Sequence, residues 1–150
     1  MTSIKPQLHA ACLSHVQERI HAAQQAMQVA QDSANSETKS SAGDKYETGR
    51  AMAQEERNRN AVQLQQALQL QGELQRIHPE NACDTVRPGA LVQTSLGWFY
   101  ISISAGKLTV DGQDYFAVSV AAPVVAALSG KRAGEQVVFN GKPVQIVSIQ

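Results

Sequence analysis

Asp44 and Glu47 are two carboxylates three residues apart, placed directly after Gly43 in the segment SSAGDKYETGR. If a helix begins there, the i, i+3 spacing puts both on one face with Cβ atoms about 5–6 Å apart. Two carboxylates so spaced can share a hard divalent cation, which prefers oxygen ligands. Gly43 lets the chain turn tightly ahead of them. The same pair also fits a helix N-cap with its N3 partner, a variant of the capping box, and both charges favour a helix N-terminus. Ser40 or Ser41 in the cap position would free Asp44 as a ligand. Tyr46 is a large ring among small residues, which suits a contact residue better than a core one. Lys39, Lys45 and Arg50 surround the acids and read either as partner contacts or as a solvated mixed-charge surface.

Elsewhere the residue types offer less chemistry. His9, His15, His21 and His78 all lie in the first half and read as surface or seam residues of helices. Ser102, Ser104 and Ser119 fall in expected strands with no His or Cys nearby in sequence, so no nucleophile–base pair is visible. Cys12 and Cys83 are far apart and form no CxxC pair, which excludes a zinc finger or a disulfide scaffold. They read as two reduced thiols of a cytoplasmic protein.

The acidic segment needs elements to carry it. Leu13, Val16, Ile20, Ala23, Met27, Ala30 and Ala34 are spaced alternately by three and four, an unbroken heptad seam. NSETKSSAGDK, dense in Ser, Asn, Asp and Gly, then reads as a turn. A second helical run covers about Lys45 to His78 and is closed by Pro79. Its seam comprises Ala53, Asn60, Ala67, Leu70, Leu74 and Ile77, with Leu64 and Leu68 widening the stripe. Glu56, Asn60 and Gln63 occupy or border the seam near the turn, so that end should pack weakly. Two such helices with a short turn form an antiparallel hairpin, each arm about 45 Å long at 1.5 Å per residue. A two-helix coil buries little surface, so its base is expected to dock on the rest of the chain. A long prong with a polar tip can dimerise, bridge, or reach into a deep hole.

The second half changes character. Six of the seven aromatic residues and seven of the ten glycines follow residue 80. Short strands are expected over Leu91–Ser95, Trp98–Ser104, Lys107–Val110, Tyr115–Val120, Gln136–Asn140 and Pro143–Ile149. Asp111-Gly112 and Asn140-Gly141 are hairpin dipeptides. Pro123 opens a short helix, PVVAALSG, with Gly130 just past its end. The fold class is therefore α+β: an antiparallel coiled-coil hairpin over residues 1–80, then a β-sheet domain with one short helix over 81–150.

With 150 residues, 13 basic and 13 acidic side chains, the chain carries no formal net charge. That balance argues against a protein held to nucleic acid by bulk charge. No stretch approaches the about 18–20 apolar residues of a membrane span. The opening MTSIKPQLHA has no apolar h-region, so no secretory signal is expected.

The segment from Val118 to Ile149 resembles the C-terminal domain of the bacterial Gre transcript-cleavage factors. Those domains carry a strand ending in a small-residue–Pro step, an Ala- and Leu-rich helix, then Gly-Lys-x-x-Gly-Asp/Glu and two final strands. Pro123, Ala126, Ala127, Leu128, Gly130, Lys131, Gly134 and Glu135 match that pattern. The first half resembles the Gre coiled-coil hairpin, whose tip reads Gly-Asp-x-x-Glu-Asn-Ala-Glu-Tyr. Gly43, Asp44 and Glu47 match, while Thr48, Gly49 and Arg50 stand where the family shows Asn, Ala and Glu.

The resemblance implies an FKBP-like C-terminal domain and a cytoplasmic, monomeric transcription elongation factor that binds bacterial RNA polymerase. It implies that the hairpin enters the secondary channel and that Asp44 and Glu47 help retain a Mg²⁺ ion there, so that backtracked RNA is cleaved. On this view the protein is not itself an enzyme and binds no cofactor alone. Tyr46, Lys45, Arg50, Pro123 and Lys131 are the expected partner contacts. Three alternatives stay open. One is a channel regulator that does not stimulate cleavage. Another is a prolyl isomerase with Trp98, Phe99, Tyr100, Tyr115 and Phe116 lining a pocket. The third is a scaffold that dimerises through its hairpin.

Overall fold

In the computed structural model the backbone is described for residues 4–39 and 43–150, and side chains for 4–33 and 49–150. Two helices come first: α1, Lys5–Lys39, and α2, Gly43–Gln75. Six strands and a short helix follow: β1 Leu91–Thr94, β2 Gly97–Ile101, β3 Gly106–Val110, β4 Gln113–Val118, α3 Pro123–Leu128, β5 Gln136–Phe139 and β6 Lys142–Ile149. The class is α+β, with α1 and α2 packed on each other. Two compact units divide the chain, one of Met1–His15 with Gly72–Gln150 and one of Val16–Gln71.

In the helical unit, burial follows the heptads. Val16, Ala23 and Ala30 of α1 are buried, and Ile20 and Met27 are half-buried between them. From α2, Asn60 and Ala67 are buried, while Ala53, Arg57 and Leu64 are half-buried. Small residues at this seam let two helices approach closely. Leu68 does not widen the stripe as expected: it is 47% exposed, because it lies one residue beyond the buried Ala67 and turns about 100° away from it. Glu56 and Gln63 are exposed as well, leaving Asn60 as the one polar residue of that trio to be buried. Glu56 pairs instead with Arg59 on the solvent side.

Asn60 is a physical anomaly. Its Nδ2 is buried and has no hydrogen-bond partner among the described residues. It borders a cavity of about 290 Å³ floored by Ala22, Ala23 and Ala26. An unpaired buried donor costs about 1–3 kcal/mol. Asn60→Leu is therefore expected to stabilise the hairpin by about that amount, since it removes the orphan and adds apolar volume beside a void. A thermal melt checks this, and a lower melting temperature would contradict it.

In the other unit the sheet has the order β3-β4-β2-β1-β6-β5. All neighbours are antiparallel except β2 and β4, which run parallel with Phe99 opposite Phe116. The two expected hairpin turns form as their dipeptides dictate. Asp111 and Gly112 take φ of 52° and 78°, and Asn140 and Gly141 take 53° and 76°, the left-handed pairs of a type I′ turn. β2 ends at Ile101 and β4 at Val118, so Ser102, Ser104 and Ser119 lie just outside strands, contrary to expectation. Ser102 N still donates to Val118 O at 2.7 Å, which closes the β2–β4 ladder.

Both faces of the central strands are covered. Val92, Phe99 and Ile101 join Val125 and Leu128 of α3, and Val144 and Ile146 of β6, in the main core. Leu91 and Tyr100 pair across β1 and β2 and point to the opposite face, as the two-residue period requires. Both are fully buried there. Tyr100 meets α1: its hydroxyl lies 3.0 Å from His9 Nδ1. Leu8 and Cys12 of the same helix segment are also fully buried.

Candidate functional site

The expected acidic tip falls at the start of α2. The described part of α2 opens at Gly43, with Asp44 as its second residue. With Glu47 three residues later in the same helix, both positions share one helix face. That spacing is compatible with a shared cation and with a capping pair alike. The side chains of Asp44, Lys45, Tyr46 and Glu47 lie outside the described residues. Gly49 is half-buried within α2, and Arg50 beside it is exposed. Gly in place of Ala inside a helix costs about 1 kcal/mol of helix stability.

Pro123 and Lys131 are exposed. Their neighbours do structural work. Pro123 is the first residue of α3, where its missing N–H costs nothing and its fixed φ suits the helix. Gly130 takes φ of 75° beyond the helix end, and its N–H donates to Val86 O at 2.9 Å. Lys131 O accepts from Val86 N at 2.9 Å, so its backbone is fixed while its side chain is exposed. Glu135 Oε2 accepts from Arg132 N at 2.5 Å, and Gly134 N donates to Ile146 O at 2.8 Å. The Gly-Lys-x-x-Gly-Glu segment is thus a rigid turn that presents Lys131.

Four of the five aromatic residues considered for an isomerase pocket pair with one another, and Tyr100 meets His9. Trp98 and Tyr115 have ring centroids 5.6 Å apart, and Phe99 and Phe116 have theirs 6.0 Å apart. Tyr100 has no exposure. Of the five, Phe116 shows the most open surface among the large hydrophobic residues, at 38%. Sheet packing accounts for the set.

A polar cluster that sequence reading missed joins α1 to the sheet. Cys12 Sγ lies 3.6 Å from Ser102 Oγ, a pair separated by 90 positions in the chain. Lys5 is only 2% exposed, and its Nζ donates to Asn81 O at 2.6 Å and to Gln150 O at 3.2 Å. Burial lowers the Lys5 pKa and raises that of the Cys12 thiol, which makes Cys12 a poor nucleophile. Burial likewise holds the Tyr100 phenol well above its ordinary value. His9, expected as a surface or seam residue, instead bonds to that phenol. The only sequence signal for this cluster was that Leu8 and Cys12 continue the α1 seam backwards in steps of four.

Burial also lowers the His9 pKa below 6.5, with Glu80 opposing and His78 adding to the shift. The folded state therefore resists protonation more than the unfolded chain does. Stability is fully present above pH 6.5 and falls as the pH drops from there through the folded value. Melting temperatures measured across that range should decline toward acid, and His9→Gln should flatten the decline while keeping a partner for Tyr100.

Among the described residues no group of three or more His, Cys, Asp or Glu side chains is placed to hold a metal ion. No helix among them is long and apolar enough to cross a membrane. No protein-family model matches the chain, and no curated protein matches it in sequence.

Proposed function

We propose that the chain is a Gre-like factor that binds bacterial RNA polymerase and carries Asp44 and Glu47 through the secondary channel toward the polymerase active site. The observation that carries this reading is the helix pair. Two helices of 35 and 33 residues succeed one another with only residues 40–42 between them, and the second opens on Gly43-Asp44 with Glu47 one turn on. A prong that ends in oxygen ligands suits a site too narrow for a globular body. The α+β sheet domain, with its Pro-opened helix and the turn presenting Lys131, fits an FKBP-like domain that docks at the channel rim.

In that reading Asp44 and Glu47 are the tip ligands, and Tyr46, Lys45, Arg50, Pro123 and Lys131 are partner contacts. Two carboxylates are too few to saturate Mg²⁺, so the remaining oxygen ligands belong to the polymerase and the RNA. Asp44 and Glu47 would hold a divalent cation there, and the cation would supply charge stabilisation for phosphodiester cleavage. The tip carboxylates would orient the cation and the attacking water. The protein is then no enzyme by itself, works as a cytoplasmic monomer, and completes an activity in trans on backtracked RNA. The test is 3′ cleavage in a purified stalled polymerase complex with and without the protein.

A second reading keeps the partner and removes the chemistry. Thr48, Gly49 and Arg50 depart from the Gre tip, and Gly49 softens the turn that carries the acids. A channel regulator with Tyr46 as its steric element follows from that feature. It predicts binding to the polymerase with no gain in cleavage.

A further inference from the structure

The sheet has two edge strands, β3 and β5. The direction of their backbone groups follows from the turns. In the β5–β6 hairpin, Phe139 and Lys142 flank the two-residue turn and form a hydrogen-bonded pair, so Val138 and Pro143 beside them do not. Pro143 agrees, because it has no N–H to exchange. Continuing the alternation, Gln136 and Gln145 are again a non-bonded pair. The N–H and C=O groups of Gln136 and Val138 therefore point away from β6, and none of them has a backbone partner among the described residues.

The two edges differ in charge. β3 carries Lys107, whose ammonium lies 4.0 Å from Asp114, and Thr109 Oγ1 donates to the same carboxylate at 2.8 Å. Charge on an edge discourages a further strand. β5 reads QVVF and holds no charge. Val137 and Phe139 pack against the core and fix the strand from one face. Gln136 and Val138 lie on the other face with Pro143 and Val147. Val138 is 71% exposed and Val147 54%, so apolar surface stays open beside the unpaired backbone.

Length and charge together choose the occupant. Four residues at roughly 3.3 Å each make an edge about 13 Å long. Pairing along it covers far less than the about 1,200–2,000 Å² that a stable complex of two folded chains buries, which disfavours a second copy. Lys142 at one end of the edge has no ion pair among the described residues. β5 and β6 contain no acid, and the carboxylate of Glu135 just before β5 accepts from Arg132 N at 2.5 Å. A second copy would therefore bring no free carboxylate to Lys142.

We propose that β5 takes a short extended segment of another protein as an added strand, with β-branched residues beside Val138 and a carboxylate at the Lys142 end. Backbone pairing supplies the attraction and the alternate side chains the selectivity. The inference goes beyond the polymerase reading, and its test contains no polymerase.

The probe is the synthetic peptide Asp-Val-Thr-Val-Thr-Val-Asp, titrated into isotope-labelled full-length protein while amide resonances are followed. The Gln136 and Val138 amides are expected to shift saturably below millimolar peptide, and those of Lys107 and Thr109 to stay in place. Val138→Pro removes an outward N–H at a site where an edge strand tolerates proline. Val138→Lys keeps that N–H and adds edge charge. Each variant should weaken the peptide several-fold and keep the remaining spectrum. A peptide methylated on alternate backbone nitrogens should not bind. Unmoved Gln136 and Val138 amides at millimolar peptide, or binding that persists in both variants, overturns the proposal. Self-association of the peptide-free protein through the same amides also overturns it, by making a second copy the occupant.

Discussion

Asp44→Asn is expected to abolish stimulation of transcript cleavage while leaving polymerase binding intact. The substitution keeps size and shape but removes the negative charge and one anionic oxygen ligand. Mg²⁺ bound through only one or two protein carboxylates has little redundancy. Even loss of an outer-shell partner costs about 10–100-fold in metal affinity or activity, and loss of a ligand should cost no less. Binding should survive because the proposed docking residues Pro123 and Lys131 belong to the sheet-bearing unit. The assay is 3′ cleavage in stalled complexes, run beside a pull-down of the polymerase. Equal cleavage with both proteins would remove the catalytic role of the tip and leave the regulatory reading.

Leu8→Ala should destabilise the protein by about 2–5 kcal/mol, the range for emptying a fully buried leucine site. Leu8 has no exposure and neighbours His9 and Cys12, the residues through which α1 bonds to Tyr100 and Ser102. The cavity would open where the helix meets the sheet. Leu68→Ala supplies the contrast. Leu68 is 47% exposed, and its truncation should stay within about 0.5 kcal/mol. Denaturant titration of the two variants checks both values. Similar losses for the two would mean that burial along the helices is misassigned.

Sequence reading reached the elements more easily than their contacts, for definite reasons. Heptad spacing carries its own geometry, so Val16, Ala23 and Ala30 could be placed on one buried seam directly. Turn chemistry is equally local: Asp111-Gly112 and Asn140-Gly141 require left-handed backbone and take it. Long-range pairing has no such local signal. Nothing near Ser102 in sequence points to Cys12, and nothing in β2 announces a parallel partner in β4. Lys5 defeated pattern reading for another reason. A lysine beside Pro6 resembles an exposed helix start, yet two backbone carbonyls satisfy its ammonium and let the stem be buried. Leu68 erred the opposite way, an apolar residue whose position beside Ala67 turns it to solvent. For the tip, the i, i+3 spacing of Asp44 and Glu47 was legible, and the backbone places both within α2. The chemistry proposed for them depends on ligands that another molecule would contribute.

The most direct test of the account probes where the tip goes. A cleavable photo-crosslinker attached through Tyr46→Cys, in a Cys83→Ser background that leaves fully buried Cys12 as the other thiol, would be irradiated in a stalled polymerase complex. The account predicts crosslinks to the 3′ segment of backtracked RNA and to polymerase residues around its catalytic metal. A complex that binds the protein but yields crosslinks only to the outer surface of the polymerase, or only between copies of the protein, would contradict it.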